Sequence, residues 1–315
     1  LAFPILSVDI RMSRDQALAQ ARERTRESRW TADPSREAAS FSHLNPAFQT
    51  YMELEGGGLE ELNKLVRENT FSIYAWRVRH FTPGEVSEAE IRFTPQGRPY
   101  GFRLRLPEDQ PGDTLDTEAA RELALSRARE DWGVDTSLYE LLESSQEEKP
   151  GGRIDHTFVF ERQDLVLGDA RIRLRLLVAG NRLAELTHIL HVPEAFLRRY
   201  QDTRNANETI SLAGTVVFLL LFLTLGGGIG AVHLLRHRTY EWKAPMLWGG
   251  VVAGLMALGS LNSLPLSWMS YDTALPAQVH VATVALTATL TFLAGGVFLG
   301  LIFTVGEGLM RLGFP

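Results

Sequence analysis

Three long apolar stretches in the second half of the sequence constrain the fold more than any other feature. They run from about Ile210 to Leu235, from Ala244 to Trp268 and from Val279 to Val305. Each is at least as long as the roughly 20 helical residues that cross a bilayer core about 30 Å thick. Aromatic side chains near their ends are typical of a membrane interface: Trp242, Trp248, Trp268 and Tyr271. The sequence therefore predicts three transmembrane helices.

The charged residues are concentrated before these stretches. Of the chain's 32 basic and 38 acidic residues, four and three lie in residues 209–315, which leaves 28 and 35 in residues 1–208. This division predicts a polar domain over 1–208 followed by an all-α membrane domain over 209–315, and it excludes a single soluble globule. The acidic balance and the lack of a cationic stripe exclude a basic nucleic-acid binder. Because the chain has no Cys, disulfides, Cys-bound zinc and a thiol nucleophile are excluded as well.

Residues 1–208 are predicted to form an α+β domain with an antiparallel sheet. A capping box, Ser13 with Gln16, begins an amphipathic helix that runs to Glu27. Two further helices are predicted at 59–68 and 117–131, and alternating runs typical of half-buried strands lie at 73–81, 91–93 and 171–177. The polar segment 193–208 is predicted to be helical and to continue into the first span.

A short internal similarity links the two halves of this domain. Ala19–Glu23 resembles Ser126–Glu130, and each lies late in a predicted helix that leads through a tryptophan, Trp30 or Trp132, to strands. Either a duplicated unit of one helix and an antiparallel sheet or a shared helix composition explains this similarity.

The histidines give no convincing metal site. His188 and His191 lie in a predicted strand, where residues three apart point to opposite faces. His233 and His237 have the helical spacing that lets two imidazoles face one metal, but no neighbouring Glu could serve as a general base. We interpret the latter pair as interfacial side chains at the end of a span.

Few polar groups lie in the apolar stretches. Glu307 and Arg311 are four residues apart, and we favour a structural ion pair on a helix surface over a functional intramembrane carboxylate. Asn262 suits either an interhelical hydrogen bond or a polar lining. The sequence therefore assigns no catalytic, cofactor-binding or metal-binding residue.

Several strings resemble the N-terminal, non-catalytic half of large bacterial members of the CPBP family of intramembrane metalloproteases, the type II CAAX endopeptidase-like proteins. The strings that carry the resemblance are Phe3–Met12, Trp76–Glu85, Gly151–Arg162 and Leu261–Leu275. The resemblance implies a preceding membrane helix, an extracytoplasmic domain, several spans and then a separate catalytic core with a Glu-Glu-x-x-x-Arg motif, a later His and a bound metal such as zinc. The nearest string, Gly306–Arg311, has Gly where the first Glu belongs, so no catalytic residue is transferred. We expect the sequence to be an excerpt of a longer protein.

The connection at 236–243 is basic, and placing it in the cytoplasm puts residues 1–208 outside the bacterial inner membrane. The favoured hypothesis is an extracytoplasmic accessory domain with the first spans of a metal-dependent protease, in contact with the lipid bilayer and with a peptide or protein substrate. The alternative is a non-enzymatic membrane-anchored binding or signalling protein. A transporter component is disfavoured because so few charges lie within the spans.

Overall fold

The computed structural model describes residues 8–28, 30, 36–67, 71–237 and 241–313. The chain forms two compact units. Unit one contains residues 1–197 together with Trp268–Leu275, and unit two contains 198–267 and 276–315. The short segment Trp268–Leu275 therefore belongs to unit one, although it lies between two apolar stretches in the sequence.

Unit one is built on an eight-stranded antiparallel sheet with the order β1-β2-β3-β4-β8-β7-β6-β5. Its strands are β1 (Arg36–His43), β2 (Tyr74–Phe81), β3 (Glu88–Phe93), β4 (Pro99–Arg105), β5 (Tyr139–Glu148), β6 (Ile154–Arg162), β7 (Arg171–Ala179) and β8 (Arg182–His191). Its helices are α1 (Arg14–Glu27), α2 (Pro46–Leu54), α3 (Gly58–Arg67) and α4 (Thr117–Glu130), with a short 3₁₀ helix at Thr136–Leu138. The predicted α+β fold with an antiparallel sheet is confirmed, and so are the capping box at Ser13 and the helices begun near residues 13, 59 and 117.

The sheet consists of two similar halves. Each half is a helix of 14 residues followed by four strands, α1 with β1 to β4 and α4 with β5 to β8, and the last strands β4 and β8 pair at the centre. Ala17 and Ala21 on α1 are fully buried at the same helix positions as Ala120 and Ala124 on α4. The elements of the two halves therefore repeat. The similar strings Ala19–Glu23 and Ser126–Glu130 are not equivalent in this repeat, because they match Ala21 with Ala128, one helical turn away from Ala124.

The two halves differ mainly by an insertion. Helices α2 and α3 lie between β1 and β2, whereas β5 and β6 are joined by a tight turn. Helix α2 was not predicted, although Asn45 caps it by accepting a hydrogen bond from the Phe48 N–H and Pro46 occupies its first turn. An Asn before a Pro is a standard helix-start signal.

Helices α1 and α4 cover one face of the sheet. Alternate side chains of the central strands point to them and form the core, including Ile91, Phe102, Leu174 and Leu186, none more than 1% exposed. Trp30 and Trp132, which follow the two equivalent helices, both stack with Phe102, with ring centroids 4.5 Å and 4.7 Å away. The opposite face carries the intervening residues, which are mostly charged.

Unit two is helical. Helix α5 (Glu194–Phe218) begins in unit one and continues through a π-helical segment, Leu219–Gly227, into α6 (Gly228–His237). It is followed by α7 (Lys243–Asn262), α8 (Leu264–Ser267) and α9 (Ala277–Gly313). Three segments in the described part of the chain are long and apolar enough to cross a membrane, Glu194–Phe222, Lys243–Asn262 and Ala277–Gly313. They support the prediction of a membrane-associated protein with transmembrane helices, and the predicted continuation of 193–208 into the first span is confirmed.

Helix α9 packs closely against α7 and α6 at glycine residues. A Cβ added at Gly249 would overlap the backbone of Gly300, and one added at Gly308 would overlap the side chain of Leu234 on α6. Close approach at small residues is the usual basis of helix association in lipid, where hydrophobicity provides little driving force.

Candidate functional site

The histidines and carboxylates that the sequence singled out do not form a catalytic cluster. Within residues 8–313, as far as the structure describes them, no group of three His, Asp or Glu side chains could hold a metal ion. His188 and His191 lie on β8, and His233 lies on α6. The side chain of His237 lies outside the described residues, so the interpretation of His233 and His237 as interfacial side chains stays a prediction.

The two polar candidates in the apolar stretches lie in different surroundings. Arg311 donates to Glu307 at 2.6 Å, so the two side chains form the predicted ion pair, and it also donates to Glu241 at 3.2 Å. Asn262 is the exposed last residue of α7.

The most distinctive site of unit one is formed by Trp268–Leu275, which we call the docked segment. Its residues Trp268, Tyr271 and Thr273 are each less than 9% exposed. Phe81 at the end of β2 packs against the rings of Trp268 and Tyr271, with centroids 6.1 Å and 5.5 Å away. The guanidinium of Arg36 on β1 lies 4.3 Å from the Trp268 ring centroid. The tryptophan and tyrosine that we expected at a lipid interface are thus buried against the sheet.

Arg79 holds the docked segment by its main chain. The Arg79 guanidinium donates to the carbonyl oxygens of Trp268 at 3.1 Å and of Tyr271 at 2.7 Å, and to the Glu88 carboxylate at 2.9 Å. The Gly84 N–H donates to the Thr273 carbonyl at 2.8 Å. Arg79 is only 9% exposed, so these bonds are made with little competition from water.

The charged face of the sheet is organised by glutamates that each bind arginines. Glu88 also accepts from Arg105 at 3.3 Å, and Glu90 accepts from Arg77 at 2.5 Å and Arg92 at 2.8 Å. Burial alone would raise the pKa of Glu90, but the two arginines outweigh it and hold that pKa below its usual value. A cavity of about 420 Å³ lies between this face and residues 269–271 of the docked segment.

A larger cavity of about 700 Å³ lies in unit one at the ends of β4 and β8. Tyr100 and His188 stack in its wall with centroids 4.5 Å apart, and the Tyr100 hydroxyl accepts from the Ser72 N–H at 3.1 Å. His188 Nδ1 lies 3.0 Å from the Tyr100 carbonyl, which can only accept, so Nδ1 carries the proton. Burial lowers the pKa of His188 to about 4, and therefore its imidazole is neutral at pH 7. Trp132, Arg24, Arg98 and Arg162 also line the cavity, and the Arg162 guanidinium donates to the Asp164 carboxylate at 2.6 Å.

These sites arise from pairs of residues that are distant in sequence. Nothing in the sequence indicated that the strings Trp76–Glu85 and Leu261–Leu275 meet, and the structure brings them together through Arg79, Phe81 and Trp268. No local signal predicts this contact, since an Arg in an alternating strand is normally a solvated side chain.

No family model, curated protein or solved structure matches the chain. The similarity to CPBP-family proteins therefore stays a prediction.

Proposed function

We propose that the chain is a binding and coupling part of a membrane protein, in which an extracytoplasmic domain recognises a partner and the docked segment links that domain to the membrane helices. The observation that carries this proposal is the burial of Trp268–Leu275 in unit one through Arg79 and Phe81. In the sequence the docked segment continues into α8 on one side and α9 on the other.

The geometry suits transmission of a conformational change. Arg79 belongs to β2, a strand paired on both sides, and bonds main-chain groups of the docked segment. Movement of β2 or of the Glu88 carboxylate that orients Arg79 would alter the docked segment and with it the chain that enters α9. A coupling element must have two conformations that differ in their contacts. The hydrogen bonds from Arg79 to the docked segment are contacts that would be present in one conformation and absent in the other.

The context that we favour is an accessory part of a metal-dependent membrane protease of the kind that the sequence resembles. Among the described residues, no group of three His, Asp or Glu side chains could bind the metal of such an enzyme. The role that we propose for these residues is therefore recognition and coupling. The domain would lie on the outer side of a bacterial inner membrane, as the basic connection at 236–243 favours.

The alternative is a non-enzymatic ligand-binding or signalling protein. The cavity beside Tyr100 and His188 favours it, because about 700 Å³ is within the range of roughly 300–1,000 Å³ of small-molecule sites. Aromatic residues and arginines line it together, which suits a ligand that has an apolar body and an anionic group.

The flanking coding sequence separates the two contexts. An upstream span and a downstream membrane segment with Glu-Glu-x-x-x-Arg and a later His would support the protease context, whereas a stop codon soon after residue 315 would contradict it. We also expect the purified chain to bind no stoichiometric zinc. Zinc at one equivalent that is lost in a His233→Ala variant would contradict a purely accessory role.

A further inference from the structure

The outer edge of β5 is a second interaction surface in unit one. β5 runs for ten residues at one edge of the sheet, and in the described part of the chain it pairs only with β6, from Tyr139 opposite Arg162 to Glu148 opposite Ile154. Every residue of β5 after Tyr139 is exposed. Such an edge presents a row of main-chain donors and acceptors to solvent.

The side chains of this edge carry charge of one sign. Glu140, Glu143, Glu147 and Glu148 lie on β5, and the strand contains no Lys or Arg. Lys149, just after the strand, forms an ion pair with Glu147 at 2.6 Å. The other three glutamates form no ion pair among those that the structure describes. The partner that complements this edge is therefore positively charged.

Two exposed leucines give the edge an apolar part. Leu141 and Leu142 are 37% and 46% exposed, and they lie where the β5–β6 register shifts, between Leu141 and Glu143. A bulge of this kind turns side chains out of the regular alternation and is common beside binding sites.

We propose that β5 is the docking edge for an extended, basic peptide segment of a partner protein, which adds to the sheet as a further strand. The proposal deepens the proposed function, on which it rests, by naming the class of partner that the domain recognises. Main-chain hydrogen bonds would supply the pairing and the glutamates the preference for Lys or Arg. A second copy of this chain is a poor occupant, because β5 paired with itself would place carboxylates opposite one another.

The test uses the full chain in nanodiscs of neutral phosphatidylcholine, so that a basic probe is not drawn to the lipid. The probe is a fluorescent octapeptide of alternating Lys and Val, and its binding is followed by anisotropy. We expect saturable binding that weakens with added salt. An alternating Glu-Val peptide, and a Lys-Val peptide with all of its main-chain amides N-methylated, should both fail to bind.

Adjacent serines provide a matched pair of variants. In a strand, neighbouring residues direct their main-chain groups to opposite sides, so one of Ser144 and Ser145 faces β6 and the other faces outward. Ser144→Pro and Ser145→Pro should therefore differ. The variant with a lowered melting temperature identifies the residue that faces β6, and the stable variant should bind the peptide about tenfold more weakly.

Charge variants keep the proposal testable if neither proline variant folds. Glu140→Gln with Glu143→Gln should weaken binding roughly threefold, whereas Glu122→Gln with Glu130→Gln, exposed carboxylates of α4, should have no effect. No binding of the Lys-Val peptide, or equal binding of its N-methylated form, would overturn the proposal. The glutamates would then be explained as charges that prevent aggregation through the exposed edge. Neither result bears on the docked segment, because hydrogen exchange in residues 268–275 tests that segment independently of β5.

Discussion

Replacing Arg79 should release the docked segment. Arg79→Met removes the guanidinium that bonds the carbonyls of Trp268 and Tyr271 and leaves the Glu88 carboxylate without its most buried cation. A hydrogen bond to a charged group contributes about 1.5–3 kcal/mol. Arg79 makes such a bond to each of these two carbonyls of the docked segment, and with each at the low end of that range we expect the segment to be held less tightly by about 3 kcal/mol.

Arg77→Met is the matched control for this change. Arg77 lies two residues away on the same strand and face, and it binds Glu90 at 2.5 Å, but its side chain is 39% exposed against 11% for Arg79. A pair as exposed as this contributes only about 0.2–1 kcal/mol. The same Arg-to-Met exchange should therefore have a small effect at Arg77.

Hydrogen exchange followed by mass spectrometry is the assay, on the full chain in nanodiscs. Peptides that cover residues 268–275 should exchange faster in Arg79→Met by a factor of about 100, since a 3 kcal/mol loss corresponds to roughly two decades in an opening equilibrium. Exchange in those peptides should remain near wild type in Arg77→Met. Equal exchange in Arg79→Met and wild type would refute the idea that Arg79 holds the segment, and equal acceleration in both variants would assign the effect to charge alone.

Three further predictions concern pH, helix packing and topology. Burial lowers the pKa of His80 to about 4, so the unfolded state binds more protons at this site between about pH 6.5 and 4. His80 alone should therefore lower the stability of unit one by up to roughly 3 kcal/mol as the pH falls through this window, and urea unfolding of His80→Gln should show a loss smaller by about that amount. Gly249→Ala should destabilise the α7–α9 packing by about 1–3 kcal/mol, whereas Gly250→Ala, whose added Cβ would meet no atom within 4 Å, should melt like the wild type in detergent. Because the chain has no Cys, single cysteines at Asp272 and Lys243 should react with an impermeant maleimide from opposite sides of the membrane, and labelling of both from one side would contradict the three-span arrangement.

Local signals were sufficient for much of the secondary structure. Ser13 and Gln16 are only three residues apart, so the capping box that they form is encoded within one turn of chain. The apolar stretches are equally local, because a helix that crosses a membrane must satisfy its own main chain and present apolar side chains along its whole length. Strand β5 was not predicted, since its polar sequence has no hydrophobic alternation and it forms by pairing with β6.

The candidate sites are formed by contacts between residues that are distant in sequence, and no local pattern predicts these contacts. Trp268 was expected at a membrane interface, but a large amphipathic ring also suits a site packed against Phe81 and Arg36. Which of the two environments it occupies depends on whether the strands bring those partners to it.

The sequence by itself therefore determined the three apolar helices, the α+β character of the first domain and the capped helices, because each depends on periodicity or on neighbours within a few residues. Only the tertiary structure decided the symmetric strand order, the anchoring of residues 268–275 by Arg79 and the free edge of β5. These features join residues up to 192 positions apart, and their stability comes from burial and main-chain hydrogen bonds that exist only after the sheet has formed.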